Sequence, residues 1–212
     1  MPSRSYPFVT GKAYHIYDKT LDRIRIFEDI HCCEAFIEAL AFYRFHVPNV
    51  SLSAYRRFNA TDKQLIRQTF MHESDALVTI HAFVLMPNHF HLLIRQKKEG
   101  GVVRFMGNLM NSITRYHNRR YRRKGPVLLP RFSSVRIVGV LQLSYVSRYI
   151  HRNPLKARLV KDYKELLTWK YSSLPQYVER EPFYEWVRPR YVLRSFNYSS
   201  KMYQKYMVAN EI

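Results

Sequence analysis

Two apolar runs, ALVTIHAFVLM over residues 76–86 and HFHLLIRQ over 89–96, are separated only by Pro87-Asn88. Both are rich in Val, Ile, Leu and Phe, and Pro-Asn is a turn-forming pair, so the spacing predicts an antiparallel hairpin. Strands this apolar belong in an interior, and the rest of the chain must supply the layers that cover them.

The flanking segments fit that role. GKAYHIY, residues 11–17, reads as a first strand with Ala13, His15 and Tyr17 on one face and Tyr14 and Ile16 on the other. DIHCCEAFIEALAFYRFH spaces Cys33, Phe36, Ile37, Leu40 and Tyr43 as a helix packed on a sheet, ended by Pro48. Residues 49–60 read as irregular, and Thr61 with Gln64 forms a capping-box pattern before the short helix DKQLIRQTFMHE, so that about 49–76 is a helical insertion. VVRFMGNLMNSITRYHNRRY is a second sheet-packing helix, SSVRIVGV a further strand, and LQLSYVSRYIHRN a third helix stopped by Pro154.

Strand, helix, hairpin, helix, strand is the split βαβ order of a ferredoxin-like sheet, an α+β sandwich with an antiparallel sheet. Residues 1–177 are expected to form that domain. Residues 178–212 are expected to form an aromatic and basic appendage, with a helix near 198–208. The fold hosts many activities and identifies none.

Charge narrows the partners. Lys and Arg number 35 against 16 Asp and Glu, a formal net charge of +19, which repels itself unless a polyanion is near. Nucleic acid is the expected partner. A membrane surface is not, because no segment joins a basic face to a long apolar one, and no run approaches the roughly 20 residues of a spanning helix. MPSRSYPFVT lacks the apolar core of a leader, and the adjacent Cys32 and Cys33 read as free thiols in a reducing compartment, so the expected location is cytoplasmic.

Within the hairpin, strand alternation puts His89 and His91 on one face about 6–7 Å apart. Two imidazoles so placed can hold one cation, or can simply be hydrogen-bonded on a half-buried strand. On the third helix Tyr149 and Asn153 are four residues apart and share a face, with Tyr145 one turn back. They read either as a nucleophile with an amide ligand, or as a core stripe and a helix cap. Arg115 and the run Arg119, Arg120, Tyr121, Arg122, Arg123 and Lys124 can neutralise successive phosphates, with Tyr121 stacking on an unpaired base. The same run also suits a solvated helix C-terminus.

VLMPNHFHLLI, RYIHRNPLKARLV and WKYSSLPQY, in this order and at these separations, resemble the HUH single-tyrosine transposase family, and most of all its REP-associated branch. The resemblance runs from about Tyr14 to Tyr177 and implies His89 and His91 as paired metal ligands, Tyr149 as nucleophile and Asn153 as third ligand. It further implies Mg²⁺ or Mn²⁺, single-stranded or hairpin DNA as substrate with Arg131 among the DNA contacts, and a monomer or homodimer. The chain departs from the family pattern at YDKTLDR, where an Asn-Arg is usual, and at GPVLLPRF, where many relatives carry a tryptophan. Both departures bear on substrate recognition. The competing activities are a non-catalytic nucleic-acid-binding module and a metal-dependent nuclease that uses water.

Overall fold

The computed structural model describes residues 7–180 and 184–209. Residues 1–6, within the stretch read for a leader, and 181–183 and 210–212, within the expected appendage, lie outside the described residues. In chain order the elements are β1 (Ala13–Lys19), α1 (Ile30–Tyr43), α2 (Leu52–Arg57), α3 (Ala60–Phe70), β2 (Val78–Met86), β3 (His89–Gln96), α4 (Gly101–Arg120), β4 (Ser133–Arg136) and α5 (Gly139–Lys156). The C-terminal part adds α6 (Tyr163–Leu167), α7 (Leu174–Tyr177), α8 (Arg190–Leu193) and α9 (Ser200–Val208).

The predicted hairpin is β2–β3, and the sheet runs β2-β3-β1-β4 with every neighbouring pair antiparallel. This is the ferredoxin-like order. Alternation divides the strands between two cores. Tyr14, Ile16, Phe90, Leu92 and Ile94 pack under α1 and α4, whereas Ala13, Ala82, Val84, Met86 and Leu93 pack under α5 and the C-terminal helices.

Several boundaries differ from the sequence expectation. β1 runs two residues past Tyr17, because Asp18 and Lys19 still pair with Phe90 and His89. α1 stops at Tyr43, short of Pro48, since the Arg44 carbonyl is taken by the Leu77 amide at 2.6 Å and the chain turns there. The 49–60 stretch holds α2, capped by Ser51. Asn59 rather than Thr61 caps α3, its side chain accepting from the Asp62 amide, because Asn is an equally good cap two residues earlier. β4 is confined to four residues, as Gly139 adopts φ +82° and starts α5. Pro154 does not stop α5: near the helix end its missing donor removes a single bond, and Ala157 closes the turn onto the Asn153 carbonyl at 2.9 Å.

The segment 169–177 covers the outer edge of β2. Leu85 donates to the Tyr171 carbonyl at 2.9 Å, Phe83 to Ser173 Oγ at 2.9 Å, and Tyr177 Oη donates to the His81 carbonyl at 2.8 Å. This satisfies backbone groups that an open edge would expose. Ser173 Oγ is also 2.8 Å from His151 Nε2 on α5, whose Nδ1 is 2.7 Å from Tyr203 Oη on α9. One fully buried imidazole thus joins the sheet edge, α5 and the C-terminal helix.

Burial holds the His151 pKa down at about 3, whereas an unfolded chain protonates it near 6.5. Between those values the unfolded state binds the extra proton, so stability rises with pH through that window and falls on acidification. The urea midpoint is therefore expected to drop between pH 6.5 and pH 5. His151→Gln is expected to be less stable at pH 7.5 but to show a shallower drop, and an equal slope would contradict this account.

Candidate active site

Because Tyr17 pairs with His91, Lys19 with His89 and Val135 with His15, the face of the sheet under α5 carries a continuous row of polar and aromatic side chains. α5 crosses this face. His15, Tyr17, Lys19, Thr20, Arg23, Asn88, His89, His91 and Val135 from the sheet side and Tyr145, Val146 and Tyr149 from α5 enclose a cavity of about 670 Å³. The Tyr149 ring centroid lies 5.5 Å from that of His91 and 5.7 Å from that of His15, and the His89 and His91 rings are 5.2 Å apart. The structure thus brings together three of the four residues singled out for chemistry.

Asn153 is not among the residues lining the cavity. It sits one helical turn beyond Tyr149, buried, with Nδ2 donating to the Tyr149 carbonyl at 2.8 Å. Lys156, a further turn portion along, places its ammonium 5.4 Å from the Tyr149 ring centroid, a cation–π contact.

Burial lowers the His91 pKa to about 2, with the neighbouring His15 and His89 adding to the effect, and lowers His15 to about 4. His89 is lowered by burial and then by Lys19. All three rings are neutral at physiological pH, the state in which imidazole binds metals. His89 Nδ1 is 2.8 Å from Asn88 Oδ1, and His91 Nδ1 is 2.9 Å from His15 Nε2. Neither His89 Nε2 nor His91 Nε2 has a hydrogen-bond partner among the described residues, so two donor atoms are available to a cation. Among the described residues no group of three or more His, Cys, Asp and Glu is placed to hold a metal. A cation here would therefore need an amide or a substrate oxygen beside the two imidazoles.

The basic run lies elsewhere. α4 packs in the core on the opposite side of the sheet, and Arg115, Arg119, Arg120, Tyr121, Arg122, Arg123, Lys124 and Arg131 are exposed without lining the cavity. Asp29 engages part of the run, its Oδ2 accepting from Arg120 Nε at 2.6 Å and from Tyr121 Oη at 2.8 Å. The cations that do line the cavity, Lys19 and Arg23, belong to YDKTLDR, the segment that departs from the family pattern. Continuing the β1 alternation from His15 and Tyr17 to Lys19 would have found the first. Nothing in the linear pattern marks Arg23, which follows Asp22 in a left-handed turn at φ +56°.

The sequence profile of the family described as IS200-like transposases matches residues 41–153, which contain both histidines, Tyr149 and Asn153. The chain belongs to the IS200-like transposase family. This HUH single-tyrosine transposase shares its fold with a solved REP-associated tyrosine transposase bound to a REP hairpin. The TM-score is 0.58 at 14% identity, covering 89% of this chain and 98% of that one. A solved chain from Deinococcus radiodurans R1 superposes at a TM-score of 0.37 with 15% identity over 72% of this chain and 96% of its own. A search of curated proteins found no match. No helix among the described residues is long and apolar enough to cross a membrane.

Asp29 also caps α1, its Oδ1 accepting from the His31 amide at 2.9 Å. Asp29→Ala is expected to cost about 1–2 kcal/mol in urea unfolding through the lost cap and partners. Asp29→Asn, which keeps a capping oxygen, is expected to recover much of that loss. Equal losses in the two variants would remove the cap from the account.

Proposed function

We propose that this transposase nicks and rejoins single-stranded or hairpin DNA through a covalent 5′-phosphotyrosine on Tyr149. The observation that carries the reading is that Tyr149 and the pair His89 and His91 share one cavity, with ring centroids 5.5 Å apart for Tyr149 and His91. A binding module requires neither the histidine pair nor a tyrosine beside it. The solved relative of the same fold was captured with a hairpin, which supports DNA as the substrate class.

The chemistry then follows from the lining. Tyr149 gives up its proton to solvent as Oη attacks phosphorus, the phosphorus–O3′ bond breaks, and the 3′-oxygen takes up a proton from solvent and leaves as a hydroxyl. Lys19 and Arg23 hold the phosphate, and α5 fixes the direction of attack. His89 and His91 fit a divalent cation, Mg²⁺ or Mn²⁺, through neutral rings with Nε2 available, and Asn153 is the candidate third donor from the nucleophile's own helix. Such a cation supplies Lewis-acid stabilisation of charge on a phosphate oxygen. Reversal by a second 3′-hydroxyl rejoins strands.

The cavity mouth suits unpaired bases. Val135 and Tyr145 line it and are 43% and 55% exposed, and Leu141, one turn before Tyr145, is 89% exposed. An aromatic and apolar rim beside cations is the composition that seats single strands. The exposed run Arg119–Lys124 and Arg131 are proposed as backbone contacts for the flanking DNA, on the surface beyond the cavity.

Tyr149→Phe is expected to reduce adduct formation on a labelled hairpin oligonucleotide by about 10³-fold or more while binding stays near wild type. The readout is the shifted protein band on a denaturing gel. Undiminished adduct in that variant would transfer the role to Tyr145, and cut DNA without any adduct would favour a water nucleophile. EDTA is expected to abolish cleavage, and affinity is expected to fall steeply with salt, as counterion release requires.

A further inference from the structure

The turn that introduces the histidines is built against the usual preference. A two-residue hairpin loop favours residues at positive φ, yet Pro87 is locked near −65° and Asn88 is not among the positive-φ residues. The loop keeps its shape through backbone clamps instead: the Pro87 carbonyl accepts from the Phe27 amide at 3.0 Å, and the Asn88 carbonyl from the Thr20 amide at 2.9 Å and Thr20 Oγ1 at 3.1 Å. None of these bonds uses the Asn88 side chain. That side chain is committed to one contact, Oδ1 to His89 Nδ1 at 2.8 Å.

An amide oxygen only accepts, so the proton of this bond sits on His89 Nδ1 and leaves Nε2 with a bare lone pair. The second histidine has a matching partner. His91 Nδ1 and His15 Nε2, 2.9 Å apart and both buried, share a single proton. With that proton on His91, its Nε2 is bare; with the proton on His15, His91 Nε2 carries hydrogen and cannot ligate. The 2.9 Å separation also leaves no room for a cation between the two rings, so His15 is a neighbour of the site and not a third ligand.

We infer that Asn88 and His15 are positioning residues that hold His89 and His91 in the one tautomer able to bind a cation, each through its Nδ1 proton. The inference rests on the proposed metal role of the two histidines. Partners of this kind orient a ligand ring and raise its basicity, and their loss commonly weakens metal affinity about 10–100-fold. Asn88 thereby explains why a proline–asparagine turn stands where a glycine-containing one would fold more readily: the side chain is used for the site, and tertiary clamps hold the backbone.

The test uses the full-length protein without DNA. Imidazole ¹⁵N spectra of the metal-free chain are expected to show hydrogen on Nδ1 and none on Nε2 for both His89 and His91. Hydrogen on either Nε2 overturns the inference whatever the metal does. Mn²⁺ titration is expected to show about tenfold or greater weakening in Asn88→Ala and in His15→Phe. Asn88→Asp, which keeps an acceptor, is expected to return to wild-type affinity or better. Wild-type affinity in Asn88→Ala, or an Asn88→Asp as weak as the alanine variant, overturns it as well. Failure of the underlying metal role has a different signature: wild type and His89→Ala would then take up Mn²⁺ equally, which also removes the inference.

Discussion

The placement of Tyr149 depends on a buried imidazole two residues further along the same helix. His151 faces away from the cavity and is bonded on one side to Ser173, which is in turn held by the β2 backbone, and on the other to Tyr203 of α9. Its neighbours on α5 reinforce the link, with Arg148 donating to the Ala209 carbonyl and stacking its guanidinium 5.0 Å from the Tyr206 ring centroid. The helix that carries Tyr149 into the cavity is thus fixed from behind by directional bonds, which specify rotation and height in a way that apolar packing alone does not. The arrangement also gives the three family motifs a physical relation. The hairpin supplies the floor, α5 the tyrosine, and the 169–177 segment the strap that joins them.

Much of this was legible from periodicity. Alternation in β3 correctly separated His89 and His91 from Phe90, and helical spacing put Tyr145 and Tyr149 on one side of α5. What periodicity could not supply was anything created by pairing. The last two residues of β1 are strand only because Phe90 and His89 lie opposite, so local periodicity alone does not include Lys19. Asn59 and Thr61 are both competent caps, and local chemistry does not choose between them. Pro154 looked like a stop because a proline's missing donor is a local fact, whereas its small cost near a helix end depends on where the helix already finishes. Asn153 illustrates the limit from the other side. The i, i+4 spacing to Tyr149 is correct, yet the same spacing lets its amide bond back to the Tyr149 carbonyl, and it does not line the cavity.

Electrostatics were legible in total and not in placement. A net charge of +19 announces a polyanion, but the densest basic run ends a helix on the far layer of the sheet, partly tied to Asp29. The cavity draws its cations from the end of β1 and the turn after it. The dense exposed run and the two cations lining the cavity are therefore carried by different elements of the chain.

The covered edge of β2 has a consequence for the opposite flank. Among the described residues β4 pairs only with β1, and the cavity is built from β1, β3, β4 and α5 with no contribution from β2. The strap covers the β2 flank, and the cavity lies toward the β1 and β4 flank. A residue added to the strap would stand behind β2, away from the cavity, whereas one added along β4 would stand beside Val135 and the cavity mouth. The two flanks thus tolerate insertion differently: extra residues in the strap leave access to the cavity unchanged, and extra residues beside Val135 narrow it.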